Sequence, residues 1–403
     1  MAAALSPTTL ALARHLRPEA QPQSRHDLAG RATSLTIDLV DAAIAHGIAP
    51  LLYRTLVTAG VLTALTPAVR SRLARVAREA VLLESIQRRD LAAVLPAFDA
   101  EGLRPLVVKG AALATTHYEE PWLRPRGDTD LLVPACDADR ARGLLERLGG
   151  RRTLRPDGRA VTYQASYVRE VGRVPVTYDL HWRLADPQVF CDVLTYAELA
   201  DHAAPAPSVA PGARCPGVVH ALLLACVHRA AHHHDSDRLL FLCDIDRLAR
   251  GCDRAAWQAF SDLAVEKGVG RVCRRALDLA EALLATPIPT AVFQALDNGA
   301  ADEATAVYVQ PALRRVDILR SDLRALPSWR ARVGLLREHL FPSRAYLLAL
   351  YDCQQPALAP LLYVDRIARG VRHWCRPLAT ASSDGRRRSH RDQAGGVVST
   401  GPR

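Results

Sequence analysis

The sequence lacks the cysteine patterns of disulfide-rich and zinc-binding proteins. Its nine cysteines form no CxxC pair, and most of them lie inside apolar stretches. This distribution favours reduced, buried thiols over a disulfide framework or a zinc site. The N-terminal residues MAAALSPTTLALARHL also lack the basic region that opens a secretory signal. We therefore expect a cytoplasmic protein.

Long apolar runs are missing as well. The longest candidates, such as ALLLACV at 221–227, fall far short of the roughly 20 residues that cross a bilayer. We therefore expect no membrane segment. The 49% hydrophobic and 23% charged residues exclude wholesale disorder. A length of 403 residues is enough for about two or three domains with a sizeable core.

Lysine is scarce, although the chain is basic. Only two of the 52 lysine and arginine residues are lysines, Lys109 and Lys267, and the net charge is +10. A basic balance favours a partner that carries phosphates. Part of this charge lies in the C-terminal tail, so the balance selects no partner by itself. The lysine at position 109 departs from a strong preference for arginine.

Apolar periodicity divides the chain into helical and mixed segments. The first segment repeats apolar positions at helical spacing, whereas the second contains short strand-like runs between helical stretches. This order predicts an α/β or α+β unit of about 100 residues. Further helical segments follow a proline-rich connector, and the chain ends in a basic tail whose composition predicts disorder. The expected segments are 1–96, 97–200, 201–290, 291–376 and 377–403.

Two aspartates lie one residue apart in RPRGDTDLLV at 124–133. Because side chains alternate along a strand, Asp128 and Asp130 project from one face of the predicted strand DTDLLV. Two neighbouring carboxylates repel each other, and burial opposes their charge, so a cation is needed nearby. A divalent ion such as Mg²⁺ fits such oxygen ligands. The other interpretation is a solvated strand end with two surface aspartates.

A third acid stands in a second predicted strand. The stretches AVTYQASYVRE and RVPVTYDLHWRL predict an antiparallel pair, and Asp179 lies between apolar residues in the latter, on the same face as His181. If this strand lies beside DTDLLV, three carboxylates converge. A two-metal phosphoryl transfer needs such a cluster.

A lysine and a glycine separate a predicted strand from a predicted helix in VVKGAALA at 107–114. A glycine at this point allows close approach of a ligand, and the amino end of a helix favours an anion. Lys109 would add a compact positive charge suited to a phosphate. Lys109 and Gly110 lie about 20 residues before the aspartate pair, which makes this turn a candidate phosphate site.

The order LVVKGAALA, LRPRGDTDLLV and YDLHWRL resembles the uncharacterised bacterial nucleotidyltransferases of the polymerase-beta-like superfamily. The resemblance covers most of the chain apart from its tail. It implies an α+β fold in which a small mixed-sheet core at 97–200 is embedded between predominantly helical regions. Many superfamily members carry Gly-Ser after the first strand, but this chain has Lys109-Gly110-Ala111. We expect Lys109 to replace the serine as the triphosphate contact.

The resemblance also implies a reaction and its cofactor. Mg²⁺, with Mn²⁺ as the alternative, would be held by Asp128, Asp130 and Asp179. An NTP would transfer its nucleoside monophosphate to an acceptor with release of pyrophosphate, and Asp179 would help to deprotonate the acceptor. We expect a small-molecule acceptor rather than protein or RNA. The alternative is a catalytically silent protein of this fold that binds a nucleotide or a partner.

Further residues complete the predicted site. The predicted nucleotide-binding residues are Lys109, Gly110, Arg126 and His181. Arg124 is either a second phosphate contact or part of a solvated basic loop. His228 and His232, four residues apart in HRAAHHHD, belong to a polar helix end, to the wall of the cleft, or to a separate metal site. Asp244 and Asp246 in LCDIDRLA are not predicted to be catalytic, because residues i and i+2 of a helix do not share a face. Asp244 is expected to pair with an arginine instead.

Overall fold

The computed structural model describes residues 5–17, 30–154, 161–299 and 302–374. Within them, helices surround a five-stranded mixed sheet and a separate two-stranded ribbon, which confirms the predicted α+β fold. No helix in these ranges has both the length and the apolar character needed to cross a membrane. The tail predicted at 377–403 lies outside the described residues.

The helices before the sheet build an amino-terminal layer. They include α1 (Pro7–Leu16), α2 (Ile37–Ala45), α3 (Ala49–Thr58) and α4 (Pro67–Ala100). Helix α4 begins after Thr66, whose hydroxyl accepts a hydrogen bond from the Val69 amide, and Pro67 occupies its first turn. This helix continues past residue 97, where the sequence placed a domain boundary. The division into domains stays a prediction.

Five strands form the main sheet in the order β1-β2-β5-β4-β3. Strands β2 and β5 are parallel, and the other neighbours are antiparallel. The predicted antiparallel pair is thereby confirmed as β4 and β5, which turn at Gly172 with φ +65°. The strands are β1 (Leu106–Val108), β2 (Asp128–Leu132), β3 (Arg151–Arg152), β4 (Gln164–Val171) and β5 (Val174–His181).

The register of the central strands decides which side chains meet. Asp130 of β2 lies opposite Asp179 of β5, and Leu132 lies opposite His181. On the other side of β5, Ser166 of β4 lies opposite Asp179. In the sequence analysis, the convergence of the carboxylates depended on β2 lying beside β5. The structure shows that the two strands are neighbours.

Alternation along the strands places the sheet between two apolar layers. Leu106 and Val108 of β1 join the larger helical core, whereas Val107 joins the core formed with α4. Two helices cover the sheet: α5 (Lys109–Thr116), which follows β1, and α6 (Ala138–Arg147), which precedes β3. Strands β1, β2 and the second half of β5 are buried, so the polar residues there are enclosed unless they face a cavity.

The carboxyl-terminal half is mostly helical. The predicted connector at 204–217 contains an antiparallel ribbon, β6 (Ala203–Pro205) with β7 (Arg214–Pro216). It is preceded by α7 (Tyr196–Asp201) and followed by α8 (Val218–Ala231), α9 (Leu239–Arg250), α10 (Arg254–Glu266), α11 (Gly270–Leu284) and α12 (Thr290–Gly299). The last helices are α13 (Arg315–Ala325), α14 (Trp329–Leu340), α15 (Arg344–Leu350) and α16 (Ala359–Trp374). Helices α8 and α9 pack in the larger core and face the sheet across the cavity described below.

Candidate active site

Lys109 stands at the junction of β1 and α5. Its φ of +52° lies in the left-handed region, which costs a residue with a Cβ atom about 1–2 kcal/mol. The side chain is only 10% exposed, and its Nζ donates a hydrogen bond to Asp130 Oδ1 at 2.8 Å. Nζ also lies 3.3 Å from His181 Nε2. The strained backbone therefore directs the ammonium group into the acidic centre of the sheet.

Asp130, Asp179 and His181 form one buried cluster. Their ligand atoms all lie within 4.8 Å of one another. His181 Nε2 is 2.8 Å from Asp130 Oδ1, and the Ser166 hydroxyl donates a hydrogen bond to Asp179 Oδ1. Carboxylate oxygens and an imidazole nitrogen are common ligands of divalent cations. This group can therefore hold a metal ion.

Asp128 lines the same cavity but lies outside that cluster. Burial, followed by the charges of Asp130 and Asp179, raises the pKa of Asp128 to about 7. Burial alone would also raise the pKa of Asp130, but the nearby charge of Lys109 and a hydrogen bond from His181 hold it below its usual range. The two aspartates therefore differ in charge near neutral pH. The assignment of Asp128 as a catalytic residue and metal ligand stays a prediction.

The space around position 110 has room for glycine but not for a side chain. A Cβ atom there would collide with the Arg124 guanidinium. Arg124 is held in place by Asp244: its Nε lies 2.9 Å from Oδ1 and its Nη2 lies 2.6 Å from Oδ2. The Tyr118 hydroxyl donates a further bond to Asp244 Oδ1 at 2.8 Å. The predicted pairing of Asp244 with an arginine is confirmed, and it ties α9 to the loop before β2.

Arg126 is engaged with α4. Its side chain is 2% exposed and pairs with Glu84, and the Arg126 carbonyl accepts a hydrogen bond from Gln87 Nε2 at 3.3 Å. Burial lowers the pKa of Arg126, although the charge of Glu84 opposes this effect. The guanidinium anchors the loop that carries the aspartates. Nucleotide binding by Arg126 stays a prediction.

A cavity of about 710 Å³ opens beside the cluster. Its floor includes Lys109, Asp128, Asp130 and Asp179. One wall comes from the ribbon of β6 and β7, and the opposite wall comes from α8, α9 and the turn between them. Small-molecule sites commonly have volumes of roughly 300–1,000 Å³ and combine apolar walls with a few polar groups. The cavity therefore has the size and lining of a ligand site.

Three histidines form part of the helical wall. His228, His232 and His233 all line the cavity, which agrees with the second of the three interpretations of this segment. His228 Nε2 lies 3.1 Å from His233 Nε2, and the His233 ring stacks on Phe241 at 4.2 Å. Burial lowers the pKa of His232 and of His233 to about 3. His232 and His233 are therefore uncharged at neutral pH.

Some contributors to the site were missed by the sequence reasoning. Ser166 and Glu84 lie 13 and 42 residues from their partners Asp179 and Arg126. Strand alternation in QASYVRE places Ser166 on the face opposite Ala165 and Tyr167, and this signal could have identified it. Glu84 is one of several charged residues on α4, and the sequence offers no comparable signal for it.

A family model described as an uncharacterised nucleotidyltransferase matches residues 37–285, which is more than half of the chain. No curated protein matches the chain. The matched range begins at α2 and continues through α11, so it includes both sheets and every residue assigned above to the cluster and the cavity.

Proposed function

Because this chain belongs to the uncharacterised nucleotidyltransferase family, we propose that it transfers a nucleoside monophosphate from an NTP to an acceptor and releases pyrophosphate. The observation that carries this proposal is the buried cluster of Asp130, Asp179 and His181, whose two aspartates line the floor of the cavity. Paired carboxylates beside a cationic turn are the arrangement that phosphoryl transfer requires.

The cluster fits the divalent cation that this reaction uses. Asp130, Asp179 and His181 would hold it, and we propose Asp128 as a further ligand. Two or three carboxylates favour Mg²⁺, with Mn²⁺ as the alternative. When bound, such a cation neutralises the developing charge on the transferred phosphoryl group.

The remaining steps fall to side chains of this chain. Lys109 and the first turn of α5 bind the phosphates, because both present positive charge at the same place. Asp179 accepts the proton of the acceptor, and Ser166 orients its carboxylate. The size of the cavity favours a small-molecule acceptor over protein or RNA. The unpaired thiols of the described cysteines agree with a reaction in the cytoplasm.

Pyrophosphate release tests the proposal without knowledge of the acceptor, because water can replace it slowly. Each of the four NTPs is incubated with Mg²⁺ and the wild-type protein, and nucleoside monophosphate and pyrophosphate are quantified together. We expect equal amounts of both from at least one NTP, and a loss of about 10²-fold or more in Asp179→Asn. Asp41→Asn, in an exposed ion pair, is the control.

Two results would oppose the transferase proposal. Equal rates in the wild type and Asp179→Asn would remove Asp179 from the mechanism. Mg²⁺-dependent NTP binding without any pyrophosphate, even with candidate acceptors added, would favour the alternative of a protein that binds nucleotides without transfer.

A further inference from the structure

The ammonium group of Lys109 contacts two of the three residues of the candidate metal-binding cluster. Nζ lies 2.8 Å from Asp130 Oδ1 and 3.3 Å from His181 Nε2, while those two atoms lie 2.8 Å apart. Mg²⁺ ligated by Asp130 would bind at about 2.0–2.1 Å from a carboxylate oxygen. Lys109 and the cation would therefore lie close together on one carboxylate, where their like charges repel.

The backbone of Lys109 is held in place, whereas its ammonium group can move. Its φ of +52° and its place at the start of α5 hold the Cα atom at the edge of the cavity. A flexible four-carbon stem joins Nζ to the backbone, so Nζ can move by several ångströms while the backbone stays in place. Phosphates at the amino end of α5 would offer Nζ a partner within that reach.

From these contacts we infer that Lys109 changes partners during substrate binding. Without NTP it neutralises Asp130 and opposes the divalent cation by like-charge repulsion. When the triphosphate enters, Lys109 moves from Asp130 to the phosphates and leaves the carboxylate to the cation. Cation and NTP then bind together rather than independently. This inference rests on the proposed function, since it assumes that a triphosphate occupies the cavity.

The composition of the chain supports a special use of this lysine. The only other lysine, Lys267, pairs with Glu198 away from the cavity. An arginine at position 109 would present a planar group with fixed donors, which suits a permanent pair better than an exchange between two partners. Arg124, which also lines the cavity, illustrates the permanent pair in its bidentate contact with Asp244.

Two titrations test the inference, and the substitutions are expected to raise the affinity measured in one and to lower the affinity measured in the other. Mn²⁺ binding is measured by electron paramagnetic resonance in the wild type, Lys109→Met and Lys109→Gln, with no nucleotide present. Removal of the competing charge should strengthen Mn²⁺ binding about tenfold, within the 5- to 150-fold range of typical coupling between sites. Calorimetric titration with Mn²⁺-tripolyphosphate should show the reverse, namely binding about tenfold weaker in both variants. Lys267→Met is the matched control and should leave both affinities unchanged.

The two titrations separate the inference from a structural role of Lys109. Only variants whose thermal melts match the wild type are compared, so that misfolding does not enter the result. In such variants a lysine that only supports the cluster weakens both affinities, and that result overturns the exchange. Weaker or unchanged Mn²⁺ binding in both variants shows that Lys109 does not compete with the cation. Stronger Mn²⁺ binding with unchanged tripolyphosphate binding shows that the phosphates are not its second partner. Neither titration involves turnover, so failure of the transferase proposal appears separately, as absence of pyrophosphate release.

Discussion

Removing Asp244 should destabilise the protein strongly, because it leaves a buried guanidinium without a counter-ion. The side chains of Arg124 and Asp244 are 8% and 5% exposed, and three nitrogen–oxygen contacts of 2.9, 3.2 and 2.6 Å join them. The Tyr118 hydroxyl loses its acceptor in the same change. Breaking such a buried pair from one side costs about 3–5 kcal/mol. We therefore expect Asp244→Ala to lower the free energy of unfolding by about that amount in urea.

An exposed ion pair provides the matched control for this experiment. Asp41 pairs with Arg72 at 3.0 Å, but the two side chains are 52% and 34% exposed. Asp41→Ala should cost less than about 1 kcal/mol, because water screens such a pair. The double variant Arg124→Met/Asp244→Leu should regain much of the loss, since it removes both buried charges. If Asp244→Ala cost no more than Asp41→Ala, the reasoning about the buried pair would be refuted.

Three further substitutions probe the site and its surroundings. Gly110→Ala places a Cβ atom against the Arg124 guanidinium, and overpacking of this kind lowers the free energy of unfolding by about 1–3 kcal/mol. A thermal melt identical to that of the wild type would contradict this geometry. Ser166→Ala removes the hydrogen bond to Asp179 and should weaken Mn²⁺ binding about 10- to 100-fold in a resonance titration, whereas unchanged affinity would make this serine irrelevant. Burial raises the pKa of Asp322 to about 7, above its value in the unfolded chain. The protonated carboxyl therefore contributes fully to the free energy of unfolding below about pH 4, and this contribution is lost as the pH rises through 7. Urea unfolding between pH 5 and 8 should show a smaller loss in Asp322→Asn than in the wild type, and equal slopes would contradict this.

The sequence was most informative where a charged residue stands among apolar neighbours. Asp130 and Asp179 are acids in apolar strands, and this conflict predicted a charged site at both positions. The sequence left it as a condition that the two strands lie side by side, and the pairing of β2 with β5 meets this condition. The pairing of β4 with β5 followed from alternation and the intervening glycine. Helix geometry excluded Asp244 and Asp246 as a second catalytic pair, and the separate expectation that Asp244 pairs with an arginine is confirmed.

Long-range contacts were beyond the sequence for a physical reason. The cation of Lys109 was expected to face phosphate, but the fold brings Asp130 within 2.8 Å of it, and no local pattern encodes that distance. The ribbon of β6 and β7 was missed, because three-residue strands that contain proline show no alternation. The histidine wall depends on how α8 packs, so three interpretations remained open until the packing was known.

The central claim is that Asp130 and Asp179 hold the cation through which an NTP binds. Calorimetric titration of each of the four NTPs, once with Mg²⁺ and once with a chelator, tests it most directly in the wild type, Asp130→Ala/Asp179→Ala and Asp41→Ala. The account predicts that the wild type and Asp41→Ala bind at least one NTP only when Mg²⁺ is present, and that the double variant binds none. Equal NTP binding by the wild type and the double variant would contradict the account.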